Sequence, residues 1–470
     1  MKTMNKYSLI LFATMLLFTT SCGEDFLERY PINSISKENF YKTPDDAESG
    51  LIAAYDGVQS FEYSCYIREV PDAFTDDCPV SSGDAPNMEL NDFTFDATNL
   101  RIRNLFHVIY IAIGRVNVLL DGIENIDSDL FENNRKNEII AEAKTLRAFH
   151  YFNLVRLWGN VPLVLSLKDD PFKGNTPKEE IYNAIINDLK WSIEQLPDRH
   201  ETESRTRGTI TKGAANIILA DVYLTLGRWN EAVACANAVI NSGVYNLLNN
   251  YDDLFNPNYE NTEEAIFELQ FSGPKEANGL ASITLPPEID RQWWKKYYLA
   301  SDNLKDAFDE ESDNTRLHST IYFSRRGLHR WKTRDNGTGW FTSPQNLITY
   351  RLAYAYLVKA EALNEIGYNA NGEAFNALNI IRKRVNLPEY TSTNLNNQEE
   401  FRNAVWKERR LELALEGFRW FDLLRTNRAI EVVSEFLWDG EQTLPEYKLL
   451  LPFPQEDLDV NPNLVQNPGW

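Results

Sequence analysis

The chain has 470 residues, of which 43% are hydrophobic and 25% charged, and a formal charge of −22. That composition is globular and not that of a disordered chain. The negative excess argues against nucleic acid and against anionic lipid surfaces as partners.

The chain opens with an export signal. Lys2 and Lys6 precede a near-continuous apolar stretch from Leu9 to Phe18, and small residues Thr19-Thr20-Ser21 lead into Cys22-Gly23-Glu24-Asp25. The apolar stretch is about half the length a membrane-spanning helix needs. Basic, then apolar, then small is the order of a removable signal. A cysteine directly after it suggests a lipoprotein signal, with residues 1–21 removed and Cys22 lipidated, although Thr19 stands where Leu is usual. Removal of Lys2 and Lys6 takes the charge from −22 to −24. No later run of apolar residues is long enough to span a bilayer, so lipid at Cys22 is the expected anchor.

Residues 56–104 read as an irregular, loop-rich region. Within it, Asp72, Asp76, Asp77 and Asp84 lack the tight spacing of a calcium loop and are expected to be a solvated acidic loop. Cys65 and Cys78 could pair in an oxidising compartment, but the odd total besides Cys22 and the wide spacing make no disulfide framework. Cys235 falls in a helical pattern as a small apolar residue.

Helical hairpins follow. Ala141-Glu142-Ala143 leads through Arg147, Ala148, Tyr151 and Phe152 to Gly159. Thr176-Pro177-Lys178-Glu179 has the spacing of a capping box for a helix from Ile181 to Leu196, stopped by Pro197. The clearest hairpin is 208–247. Thr211 caps a helix carrying Ala214, Ala215, Ile218, Leu219, Val222 and Tyr223, Gly227 ends it, and a second helix carries Trp229, Ala232, Val233, Ala236 and Val239. Ala220, Ala232 and Ala236 are small enough for close helix approach. The hairpin resembles a tetratricopeptide repeat, and Ala360-Glu361-Ala362 onward echoes it without a fixed period.

Residues 248–345 are rich in Asn, Asp, Gly, Pro and aromatics, with a β-like run from Ala265 to Phe271. Two aromatic clusters there are the expected ligand-binding positions. One is Trp293-Trp294-Lys295-Lys296-Tyr297-Tyr298; adjacent Trp residues on one element cannot face the same way, so one is expected to point away from the local core. The other is Trp331 with Trp340-Phe341, around Asp335-Asn336-Gly337-Thr338-Gly339. Flat rings that stack beside polar groups that orient hydroxyls suit a sugar platform. The opposing reading is that the rings staple the insertion to the helical frame. Phe61, Tyr63 and Tyr66 are further, weaker candidates for the platform.

The segment Glu408 to Arg425 reads as one amphipathic helix. Leu411, Ala414, Leu415, Phe418, Phe421 and Leu424 lie on one face, with charge pairs Arg409–Glu412, Glu416–Arg419 and Asp422–Arg425. Gly417 within it points to a close backbone contact. The five histidines show no two-His metal spacing, and no Gly-rich phosphate loop or Gly-x-Ser-x-Gly elbow is present. Neither a catalytic residue, a metal nor a cofactor is therefore expected.

Several segments together carry a family resemblance. They are Phe40-Tyr41 to Tyr55, Arg147-Ala148 to Gly159-Asn160-Val161-Pro162, the Thr176-Pro177 box, the 208–247 hairpin, Glu408 to Arg425, and the C-terminal Leu451-Pro452-Phe453-Pro454 through Gln466-Asn467-Pro468-Gly469-Trp470. In this order they resemble the SusD/RagB family of outer-membrane nutrient-binding lipoproteins of Bacteroidetes. Leu415, where Phe is common, and Phe106, near a position often held by Trp, are departures.

The resemblance implies a mostly α fold, a helical bundle of four tetratricopeptide-like helix pairs with irregular loop-rich insertions. It implies one domain over 22–470, with an N-terminal part to 247, the aromatic-rich insertion 248–345 and a C-terminal part 346–470. It implies a non-enzymatic, cell-surface glycan-binding protein that hands its ligand to a SusC-like TonB-dependent transporter. Glu24 and Asp25 then look like the signal for the outer leaflet. Three other readings stay open: a peptide or other nutrient as ligand, a surface glycoside hydrolase, and a structural lid for the transporter.

Overall fold

The computed structural model describes residues 40–81, 84–200, 202–290, 297–335 and 337–470. Cys22, Trp293 and Trp294 lie outside them. The first half is helical: α1 (Pro44–Asp56), α2 (Phe61–Ala73), α3 (Ala85–Asn91), α4 (Leu100–Ile123), α5 (Arg135–Trp158), α6 (Lys178–Gln195), α7 (Glu203–Gly208), α8 (Lys212–Thr225) and α9 (Trp229–Ile240). Short elements follow: β1 (Ala265–Leu269), α10 (Leu280–Thr284), α11 (Pro287–Asp290), α12 (Asp302–Glu311), α13 (Asn314–Thr320), β2 (Ile321–Ser324), β3 (Gly327–Arg330) and β4 (Leu347–Arg351). The chain ends with α14 (Leu352–Ile366), α15 (Glu373–Arg384), α16 (Gln398–Glu412), α17 (Arg419–Arg425), α18 (Ala429–Trp438) and α19 (Gln455–Val460).

The fold is mostly α. Four helix pairs pack in series among the described residues: α1 with α4, α5 with α6, α8 with α9, and α14 with α15. Contacts of α4 on α5, α6 on α8 and α9 on α14 join the pairs. The sequence makes this possible at the 208–247 hairpin. Thr211 caps α8 by accepting from the Ala214 amide, and Gly227 turns the chain at φ +66°. Ala220, Ala232 and Ala236 are fully buried where the helices meet. The expected strand is present as β1, paired antiparallel with β4; β2 and β3 form a separate hairpin.

The C-terminal segment clamps α5. Trp158 is fully buried, and its Nε1 donates to the Pro452 carbonyl at 3.0 Å. The Asn467 amide donates to the carbonyls of Trp158 and Leu451. Trp470 stacks on Phe95 with centroids 5.1 Å apart.

Several expectations are corrected. Residues 56–104 hold α2, α3 and the start of α4. The Thr176 hydroxyl accepts from the Leu163 amide and does not cap α6, which begins behind Pro177 without a side-chain cap. Glu408 to Arg425 is two helices, broken at Leu413–Phe418 by left-handed residues Leu415 (φ +60°) and Gly417 (φ +86°). Of the three expected local charge pairs only Asp422–Arg425 forms, at 2.8 Å; Arg409 instead reaches Asp422 at 2.9 Å. The Gly417 contact is real: a Cβ there would sit 3.1 Å from the Arg68 Cα.

The remaining charges of that segment build a buried network. Glu412 Oε1 accepts from Arg351 and Arg384, and its Oε2 from Arg316 at 3.0 Å. Glu416 takes Arg351 at 2.8 Å and Lys332 at 2.6 Å. Glu264, next to β1, meets Arg351 at 3.3 Å and Arg384 at 2.8 Å. Ion pairs this deep gain only through mutual satisfaction, because each charge has lost its water. Burial alone would raise Glu412, but Arg384, Arg351 and Arg316 outweigh it and hold the carboxyl well below the usual range.

The aspartates of the first region are likewise not a solvated loop. Asp72, Asp76 and Asp77 are buried. Asp76 receives Arg419 at 3.0 Å, Asp77 receives Arg410 at 2.7 Å, Asp72 lies 3.1 Å from Arg330, and Asp84 pairs with Arg101 at 2.6 Å. Arginines occupy the positions a cation would need. Cys65 and Cys78 are buried free thiols, and Cys235 is a free thiol on α9.

Candidate functional site

A cleft of about 180 Å³ opens where the insertion meets α2, α3 and α4. Its walls are Phe61, Tyr66, Asn87, Arg101, Ile283, Tyr297, Tyr298 and Phe341. The rings hold one another edge-on: Phe61 lies 5.4 Å from Tyr66 and 5.1 Å from Phe341. Gly279 makes the approach possible, since a Cβ there would lie 2.3 Å from the Phe61 ring and 2.7 Å from that of Phe341. The tight loop after β3 aims Phe341. The Gly337 amide donates to Asp335, the Gly339 amide to the Thr342 hydroxyl, and the Phe341 amide, at φ +54°, to the Ser282 hydroxyl at 2.9 Å.

One polar wall faces these rings. Arg101, in the first turn of α4, donates through Nε to Asn87 Oδ1 at 3.0 Å and through an Nη to Asp84 at 2.6 Å. Its guanidinium carbon lies 5.1 Å from the centre of the Tyr66 ring. The Tyr298 hydroxyl donates to the same Asn87 oxygen at 2.8 Å. Asn87 is thereby fixed by three neighbours, with its amide on Asp84 at 2.6 Å. Burial raises the Tyr66 and Tyr297 hydroxyls above their ordinary value, keeping both as O–H groups at neutral pH. Among the described residues, neither hydroxyl has a hydrogen-bond partner, and both residues line the cleft. Among the described residues, no carboxylate lines it.

The expected site residues fall in different places. Tyr297 lines the cleft and is 8% exposed. Trp340 neighbours Phe341 in the chain, at 53% exposure. Trp331 is elsewhere, packed on Tyr322 at 4.9 Å, with the Arg334 guanidinium carbon 5.4 Å from the centre of its ring. Phe61 and Tyr66 are in the cleft. Tyr63 is not: it is fully buried and bonded to His150. Sequence reasoning missed Asn87 and Arg101. Tyr298 sits inside the first aromatic cluster, but nothing local marks Asn87 or Arg101.

Paired helices in series, with a ring-lined cleft where helices of the frame meet the loops around Tyr297 and Phe341, define a helical-scaffold protein. Profile matches agree with that class and divide the chain between them. Residues 288–470 match the profile described as "SusD family", and residues 25–224 match "Starch-binding associating with outer membrane". The chain belongs to the SusD family.

A SusD-like protein of Formosa agariphila is 28% identical, over 99% of this chain and all of the relative. The starch-binding protein SusD of Bacteroides thetaiotaomicron is 26% identical, over 70% of this chain and 72% of its own. Among solved structures, a laminarin binding SusD-like protein superposes with TM-score 0.77 at 27% identity, covering 92% of this chain and all of that one. Surface glycan-binding protein A from Bacteroides fluxus has the same fold, with TM-score 0.79 at 22% identity over 91% of this chain and all of that one.

Proposed function

We propose that this protein is a non-enzymatic glycan-binding lipoprotein of the outer membrane. It is tethered through Cys22 with its cleft outward, and it delivers captured glycan to a SusC-like TonB-dependent transporter. The observation that carries the binding reading is the cleft: edge-packed rings with Tyr66 and Tyr297, whose hydroxyls have no partner among the described residues, beside the fixed Asn87–Arg101 wall. Sugars present flat C–H faces and hydroxyl rims, which rings and oriented polar groups match. Relatives named for starch and laminarin support the ligand class. Trp340, exposed beside Phe341, extends the platform beyond the cleft, and Trp293 and Trp294 are kept as candidate contacts on their place in the sequence alone.

Relatives named as binding proteins for starch and laminarin support the non-enzymatic reading. At this cleft, no observation favours a peptide ligand or a lid role over a glycan.

Affinity electrophoresis against neutral polysaccharides tests the proposal. The wild type is expected to be retarded by at least one β- or α-glucan, and Tyr297→Ala with Phe341→Ala to run free. Absence of retardation by any glycan, or a double variant retarded like wild type, overturns the cleft assignment. Released oligosaccharide after long incubation overturns the non-enzymatic reading.

A further inference from the structure

A second and larger cavity, of about 620 Å³, lies on the helical frame. It is built from the end of α5, the first half of α6, the α8–α9 turn, α17 and residues 446–450. It shares no element with the cleft. Its volume is within the roughly 300–1,000 Å³ range of ligand pockets. The floor and walls are chiefly apolar, with Val155, Ile186, Phe421, Leu424, Leu449 and Leu450, and Leu226 stands exposed at the rim.

The lining discriminates among occupants. Arg156 covers Phe421, its guanidinium carbon 3.8 Å from that ring, and lies equally close to Phe152. Tyr182 is then the aromatic ring left for stacking, and aliphatic walls do not orient sugar hydroxyls. The lining carries exposed charges of both signs, Lys178 and Glu179 at the start of α6 and Glu446 from the C-terminal segment, all outside the ion pairs among the described residues. An acyl chain or a simple anion has no use for the two acids. A polypeptide does, because a large side chain fills the floor while its neighbours pair with either sign.

We propose that this cavity docks a polypeptide partner. The partner inserts a Leu- or Phe-class side chain, flanked by an acid that meets Lys178 and a base that meets Glu446. The inference does not depend on the glycan reading of the cleft.

The test pans a random dodecapeptide phage library on the full chain and on a Leu226→Asp/Leu424→Asp variant. Peptides enriched on wild type are expected to carry a large apolar residue between opposite charges. Binding measured by fluorescence anisotropy is expected to weaken at least tenfold on the variant. If that variant melts more than a few degrees early, Lys178→Glu/Glu446→Lys replaces it; both sites are exposed, and the swap is expected to favour peptides with the reversed charge order. No enrichment on wild type, equal binding to the variants, or displacement of bound peptide by dodecanoate or a glucan hexasaccharide each overturns the proposal.

Discussion

Replacing Glu412 with Gln tests whether the buried charges hold the insertion to the frame. Glu412 is fully buried and accepts from Arg351, Arg384 and Arg316, while its carbonyl takes the Tyr251 hydroxyl at 2.9 Å. Gln keeps the shape and removes the charge. The three guanidinium groups keep Glu264, Glu408, Glu416 and Asp313, but lose the carboxylate they share. Breaking a buried pair from one side costs about 3–5 kcal/mol. Unfolding entropy for a chain of this size is about 0.9 kcal/mol/K, so Tm should fall by about 3–6 °C. Differential scanning calorimetry at pH 7 reads this directly. The carboxyl is depressed in the folded state, so its contribution is present above the unfolded value near 4 and lost as pH falls below it. The gap between wild type and variant should therefore narrow in acid. A Tm loss under about 1 °C at pH 7 would refute the reasoning, because it would mean the arginines are satisfied without Glu412.

Gly417→Ala forces a Cβ into left-handed backbone beside the Arg68 Cα, and should lower the urea-unfolding free energy by about 1–3 kcal/mol. Burial pushes Glu69 up to about 8 and Asp72 up to about 6, with Arg330 opposing in both cases. Raised carboxyls stabilise fully below their unfolded values near 4, and that stability is lost as pH rises through about 6 to 8. Tm should thus decline across that window, and Glu69→Gln should flatten the decline; a wild-type Tm that rises there contradicts it. Cys22→Ala should leave a glycan-competent protein in the soluble fraction, and a variant that stays in the membrane pellet would exclude Cys22 as the anchor.

The helical frame was legible because its signals are local. Thr211, Gly227 and the alanines of the 208–247 hairpin state a cap, a stop and a close contact within a few residues of where each acts. The same locality misled at Glu408 to Arg425. Helical periodicity continues across Leu413–Phe418, but Glu412 and Glu416 are claimed by Arg316, Arg351 and Lys332 from far along the chain. Long-range charge partners leave no trace in spacing. The aspartates at 72–77 were misread as solvated for the same reason, since Arg330, Arg410 and Arg419 come from the other half of the sequence. In the cleft, the aromatic residues announced themselves by composition. Asn87 and Arg101 did not, because their role lies in facing rings contributed by residues about 200 positions away.

The buried network also separates what must be kept from what is free to change. Glu264, within the insertion, meets Arg351, just beyond it, beside the β1–β4 pairing, and Arg316 and Lys332 lock the interior of the insertion to α16 and the turn after it. The segments that reach the cleft, around Tyr297 and Phe341, lie outside those locks. Their sequence can be rewritten, lengthened or exchanged without touching the charges that seat the insertion. One frame can in this way carry many recognition surfaces, each altered by loop replacement alone, and the rigidity of the stem is what makes the variability of the tip tolerable.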